Sequence, residues 1–95
     1  MRVLLTAEAD EELVTAARFY ASEASAKIGQ AFVHEIDRAC KLLAEQPLIG
    51  IVWRGPVRRL ALRRFPFNVI YRVESTEIQI IAIAHQRRRP GYWVA

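Results

Sequence analysis

One cysteine, four glycines and four prolines are spread through 95 residues, and each scarcity closes off a class of protein. A lone thiol, Cys40, cannot form an internal disulfide or supply a cysteine-rich zinc site, which fits a reducing compartment. Apolar residues make up 53% of the chain, yet they never run for the ~18 uninterrupted positions a membrane span requires. The N-terminal run Met1–Thr6 is short and meets Glu8, Asp10, Glu11 and Glu12, so it has neither the apolar stretch nor the cleavage pattern of a signal peptide. The expectation is a cytoplasmic protein without membrane association. No Gly-rich phosphate loop, His-Glu-x-x-His or Cys-x-x-Cys occurs, and no metal or cofactor is expected.

Lysine is missing from the second half altogether. Residues 1–50 hold five Lys/Arg and eight Asp/Glu, a balance of −3, whereas residues 51–95 hold nine Arg with only Glu74 and Glu77, a balance of +7; together these give the net +4. A basic half attracts polyanions or acidic proteins. Arginine makes planar, bidentate contacts with carboxylates and phosphates that lysine does not, so the bias points to a binding surface rather than to a solvated face.

Length and composition fit one globular domain over residues 1–95. Arg2–Leu5 reads as a strand. Thr6 is a plausible helix cap with acids behind it, and Leu13, Ala16, Ala17 and Tyr20 recur at helical spacing, giving a helix over about 7–23. Ser25 caps a second helix striped by Ile28, Phe32, Ile36, Ala39 and Leu43, which Pro47 and Gly50 close. The period then switches. Val57–Leu62, Phe65–Val73 and Ile78–Ala84 read as strands, the second by its alternation and the third, almost wholly apolar, as covered on both faces. The predicted class is α+β in the order β-α-α-β-β-β, a helical hairpin packed on a small, mainly antiparallel sheet.

Chemistry is thinly represented. His34 reads as an ordinary helical histidine and Cys40 as a small buried hydrophobe. His85 ends an apolar strand and is followed by Arg87, Arg88, Arg89, Tyr92 and Trp93. It could move a proton near neutral pH while Arg59, Arg63 and Arg88 stabilise charge on a phosphate, or it could simply fix the tail by a local hydrogen bond. Trp53, Tyr92 and Trp93 beside arginines suit either base stacking or a protein interface.

Four stretches, taken together, resemble the RelE/ParE family of toxins. They are Leu42–Gly50 with its Leu-Pro-Gly signature, Val57-Arg58-Arg59-Leu60, Phe65–Val73, and Ile83–Trp93. The resemblance covers nearly the whole chain and implies the same fold. It also implies the toxin of a type II toxin–antitoxin, plasmid-stabilisation-like system, held inactive in a hetero-oligomer with a protein antitoxin. The family divides between inhibitors of DNA gyrase, which block replication and thereby growth, and metal-independent endoribonucleases acting on mRNA at the ribosome. On the strand where some of those nucleases carry an arginine this chain has Asn68, and Arg87 and Arg88 fall where they carry a His-Tyr pair. The tail is more similar to the gyrase-inhibiting ParE branch. The resemblance thus implies a target- or antitoxin-binding surface formed by Arg58, Arg59, Arg63, Arg72, Arg87, Arg88, Tyr92 and Trp93, with His85, Arg59, Arg63 and Arg88 as catalytic candidates on the nuclease alternative.

Overall fold

A computed structural model describes residues 1–94. The chain runs β1 (Arg2–Leu5), α1 (Ala7–Glu23), α2 (Ala26–Glu45), β2 (Ile51–Arg54), β3 (Val57–Ala61), β4 (Phe67–Val73) and β5 (Glu77–His85). The five strands lie in the order β1-β5-β4-β3-β2. Only the β1–β5 pairing is parallel. Two helices pack on one face of this sheet, so the α+β class holds. The sequence order needs one correction: a strand, β2, lies between the helices and the three strands expected after them. Its four residues sit at the sheet edge with Ile51, Val52 and Arg54 exposed and only Trp53 half-buried, and a register irregularity falls between Val52 and Arg54, so little alternation is imposed on the sequence.

Both helices start where their caps put them. The Thr6 hydroxyl accepts the Ala9 N–H at 3.1 Å, and the Ser25 hydroxyl accepts the Ile28 N–H at 3.2 Å. The helices cross tightly at Gly29, where a Cβ would lie 2.9 Å from the Ala17 carbonyl oxygen and 2.9 Å from the Ala21 Cβ. The core between helices and sheet is built from Phe32, Ile36 and Leu43 of α2, Val69 and Tyr71 of β4, and Ile78, Ile80 and Ile83 of β5. Phe32, Phe65 and Phe67 meet edge to face around it at centroid distances of 5.1–5.2 Å.

β5 carries a one-residue irregularity that its apolar sequence hides. Ile80 pairs with Tyr71 but Ala82 pairs with Ile70, so Ile81 is an extra residue against β4. A one-residue slip reverses the facing of everything beyond it. Ile78 and Ile80 therefore face the helices, as does Ile83, while Ala82 and Ala84 face the opposite side with Ile70. The run is covered on both faces, as its composition suggests: the helices cover one, and the C-terminal tail covers the other through Tyr92 and Trp93. Among the described residues no helix is long and apolar enough to cross a membrane.

Candidate functional site

The second covering layer is what builds the site. After His85 the chain turns back on itself. Gln86 N–H bonds the Pro66 carbonyl at 2.8 Å, and Arg88 N–H bonds that of His85 at 3.0 Å. Gly91 takes a positive φ of 85°, a conformation that favours glycine; a Cβ there would stand 3.1 Å from the Trp53 ring. This turn lays Tyr92 and Trp93 on the helix-free face of the sheet, where the small residues Ala82 and Ala84 leave room for rings. Trp93 meets Trp53 of β2 edge to face at 5.0 Å, and Tyr92 meets Trp93 at 5.2 Å.

The tail is anchored to α1 by Glu12. The parallel ladder of β1 ends at Leu5–Ile80, which leaves the last part of β5 an open edge. Glu12 Oε1 accepts the Ile83 N–H there at 2.9 Å, and Thr6 Oγ1 reaches the Ile81 carbonyl at 3.5 Å. Glu12 Oε2 accepts the Tyr92 hydroxyl and lies 3.6 Å from Arg88 Nη1, whose guanidinium stacks 3.6 Å above the Tyr92 ring. Burial pushes the Tyr92 phenol up, the Glu12 carboxylate raises it further, and Arg88 opposes both. An apolar groove of about 950 Å³ runs between α1 and this edge, floored by Phe67, Ile81 and Ile83 and walled by Glu8, Glu11 and Glu12.

The arginines singled out by sequence divide among several positions. Register puts Arg59 and Arg72 on the helix-free face, in line with Ile70 and Gln79 respectively. Arg72 is half-buried, donating to Gln79 Oε1 at 3.0 Å with Glu74 3.9 Å away. Arg63 is exposed in the β3–β4 loop at the sheet end where the tail begins, and Arg87 and Arg88 are exposed at that same end. Arg58 is on the opposite face, opposite Tyr71. Its Nη1 donates to the carbonyls of Leu48 and Gly50 at 3.1 and 2.9 Å, so much of its donor capacity is spent on the α2–β2 loop.

That loop is also held from inside. The buried Tyr71 hydroxyl accepts the Gly50 N–H at 2.9 Å and donates to the Pro47 carbonyl at 2.8 Å. Burial raises the Tyr71 phenol, while the Gly50 N–H and Arg58 draw it partly back. The Leu-Pro-Gly stretch thus has a physical reason: a Cβ at Gly50 would stand 2.6 Å from this hydroxyl and 2.7 Å from the Arg59 carbonyl oxygen.

His85 Nδ1 accepts the Arg87 N–H at 3.0 Å, and the ring stands edge-on to Phe67 at 5.0 Å. Among the described residues no carboxylate or second base is hydrogen-bonded to it, so the geometry matches a residue that fixes the tail. His34 lies exposed on α2. Cys40 is half-buried, its thiol pushed up by burial and by nearby Asp37, which disfavours a reactive thiolate. Among the described residues no cluster of three or more His, Cys, Asp or Glu is placed to hold a metal ion.

Two carboxylates escape a reading of the sequence alone. Glu12 looks like one more acid near the helix start, yet it sits three residues after Ala9 and four before Ala16, both buried, and so on the packed side of α1. Glu35, only 5% exposed, lies on the α2 stripe between Phe32 and Ala39. Its Oε2 accepts the backbone N–H groups of Arg63 and Arg64 and so holds the β3–β4 loop. An acid on an apolar face is the signal in both cases.

Comparison with known proteins follows the same outline. The family model described as the ParE toxin of the type II toxin–antitoxin system, parDE, matches residues 3–90. No curated protein matches the chain. Among solved structures, a chain of the chromosomal ParDE toxin–antitoxin system from P. aeruginosa superposes with a TM-score of 0.77 at 28% identity, over 90% of this chain and 95% of that one.

Proposed function

Because the chain belongs to the ParE toxin family of type II toxin–antitoxin systems, we propose that it acts in the cytoplasm as a protein-binding inhibitor of DNA gyrase, kept silent by a protein antitoxin. It needs no cofactor for this role and binds as a folded surface rather than turning over a substrate. The observation that carries the reading is the tail. Tyr92, Trp93 and Trp53 form an aromatic layer on the helix-free face, flanked by Arg59 and Arg72 on that face and by Arg63, Arg87 and Arg88 at the adjoining sheet end. Aromatic rings with arginines around them are the composition of interface hot spots, and the positive field speeds encounter with an acidic partner. The His85 ring, the one candidate for proton transfer in that region, is engaged with the backbone of Arg87, which supports binding over RNA cleavage.

The deciding experiment is pulse labelling of new DNA and new protein in bacteria, minutes after induction without antitoxin. DNA synthesis falling first, with loss of supercoiling by purified gyrase on adding the protein, is the expected result. Protein synthesis falling first would overturn it in favour of ribosome-dependent mRNA cleavage, and His85 would become the residue to replace.

A further inference from the structure

We propose that Glu35 is a positioning residue for the target surface: from inside the core it fixes the β3–β4 loop, so that Arg63 and Arg64 stand out in a set direction beside the start of the tail. The inference rests on the toxin reading above and adds to it a residue that the target itself does not touch.

Packing alone does not account for Glu35. It lies on the apolar stripe of α2, only 5% exposed, where a carboxylate is costly to bury without partners. Among the described residues no cationic side chain is hydrogen-bonded to it. Arg38 Nη2 stands 4.0 Å from Oε1, on a side chain open to water, and Oε1 is buried without a hydrogen-bond partner. The carboxylate is met by backbone instead. Oε2 accepts the N–H groups of two successive residues, Arg63 at 2.5 Å and Arg64 at 3.1 Å. Such charge-assisted bonds are about twice as strong as neutral ones.

The loop lacks any other means of holding those two residues. The β3–β4 ladder ends at Ala61–Asn68. Beyond it Leu62 N–H bonds the Phe67 carbonyl at 2.9 Å and Phe67 N–H bonds that of Phe65 at 2.8 Å, so Arg63 and Arg64 have no strand partner. Leu62 and Phe65 on either side of them are buried, which leaves the two arginine side chains only the outside, and both residues are exposed. Among the described residues neither has a carboxylate side chain within 4.0 Å of its guanidinium. The next residue, Pro66, accepts the Gln86 N–H at 2.8 Å, and Gln86 Nε2 donates to Asn68 Oδ1 at 3.3 Å. The loop that Glu35 holds is therefore also the support on which the tail turns towards Arg87 and Arg88. An arginine carried by an ordered loop loses less freedom on binding than one whose loop must be ordered by the partner. Arg63 and Arg64 supply the charge that speeds encounter with an acidic surface, and Glu35 supplies their geometry.

The test is a double-mutant cycle on the full chain. Glu35→Gln keeps the side chain's size but removes its charge, and Arg63→Ala with Arg64→Ala removes the side chains it is held to position. Three quantities are read for each variant: Tm, amide hydrogen exchange, and the protein level that halves bacterial growth rate. Exchange at the Arg63 and Arg64 amides should quicken about tenfold in Glu35→Gln relative to amides of β4. The level needed for growth arrest should rise about fivefold. In the chain lacking both arginine side chains, Glu35→Gln should lower Tm as before but raise that level by less than about twofold. Equal losses of potency in the two backgrounds would overturn the inference and leave Glu35 a residue of stability only. Unchanged exchange at the two loop amides would overturn it as well. If Glu35→Gln is recovered unfolded, Glu35→Met, which buries no new polar group, takes its place in the cycle. A parent chain that arrests nothing would fail the toxin reading itself, and the positioning role would fall with it; arrest by the parent with no special loss at Glu35 would fail the positioning role alone.

Discussion

Replacing Tyr71 by phenylalanine removes one oxygen from the middle of the protein and should release the loop that carries β2. Tyr71 is fully buried, and its hydroxyl is the partner of the Gly50 N–H and the Pro47 carbonyl. A net hydrogen bond contributes about 0.5–1.5 kcal/mol, and a buried donor left unpaired costs about 1–3 kcal/mol. The Pro47 carbonyl lies beside the exposed Leu48 and can turn to water, whereas Gly50 is buried and its N–H cannot. Tyr71→Phe should therefore cost about 2–4 kcal/mol, with the ring and its packing kept. At about 4–8 °C per kcal/mol for a domain of this size, Tm falls on the order of 10–25 °C. Urea unfolding followed by tryptophan fluorescence measures the loss, and hydrogen exchange at Gly50 reports whether the loop has opened. Gly50→Ala supplies the complement. In the parent its Cβ meets both the hydroxyl and the Arg59 carbonyl oxygen; in the Phe background only the first conflict is relieved, so the two costs should sum to less than additivity while Gly50→Ala remains destabilising. A loss below about 1 kcal/mol for Tyr71→Phe, with the Gly50 amide still protected, would refute this reasoning and make Arg58 the main anchor of the loop.

Gly29→Ala gains about 1 kcal/mol of helix propensity but presses a methyl group against the Ala17 carbonyl, a backbone atom with little freedom to yield. With overpacking costing about 1–3 kcal/mol, thermal unfolding should show a net loss, and an unchanged or raised Tm would contradict the tight helix crossing. Stability should also fall in alkali. The folded protein holds the Tyr92 proton above the ordinary value of 10.0 while the unfolded chain releases it there, so the contribution is complete below pH 10 and is lost as pH rises beyond it. Tyr20 and Tyr71 act in the same direction, so Tyr92→Phe should flatten the decline between pH 10 and 12 without abolishing it; an identical slope in parent and variant would count against the Glu12–Tyr92 contact. Arg87→Ala with Arg88→Ala should reduce growth arrest while the protein stays folded, because the partly exposed Arg88–Glu12 pair contributes about 0–1 kcal/mol and the stack of Arg88 on Tyr92 about 0.5–1 kcal/mol. Full toxicity in that double variant would remove the tail from the proposed target surface.

The elements legible in the sequence are those with a dry face. The α2 stripe and the alternation from Phe65 to Val73 each record one buried side, and Thr6 and Ser25 mark helix starts by a local hydrogen bond that needs no tertiary partner. β2 left no such record because it is four residues long and only Trp53 is covered, by the tail. The apolar run in β5 concealed a change of facing at Ile81, since isoleucine and alanine suit either layer. The arginines were visible as charge, but which face each one takes depends on strand register. That is why Arg58, adjacent to Arg59 in sequence, proves to hold a loop from the other side of the sheet. Glu12 and Glu35 read as surface acids until the elements they bind, β5 with the tail and the β3–β4 loop, are brought against them.

The parallel pairing of β1 with β5 sets a timetable for synthesis. Arg2 lies opposite Glu77, so the N-terminal strand has no partner until most of the chain has left the ribosome, and closing so long a loop is slow relative to local helix formation. Until then β4 presents an open edge, and Ile70 lies bare on the face that Tyr92 and Trp93 later cover. A nascent or truncated chain therefore carries neither the aromatic layer nor its Glu12 anchor. On the proposed reading of the tail as the target surface, that surface is complete only once these last residues have left the ribosome, which gives an antitoxin made alongside it time to be present first.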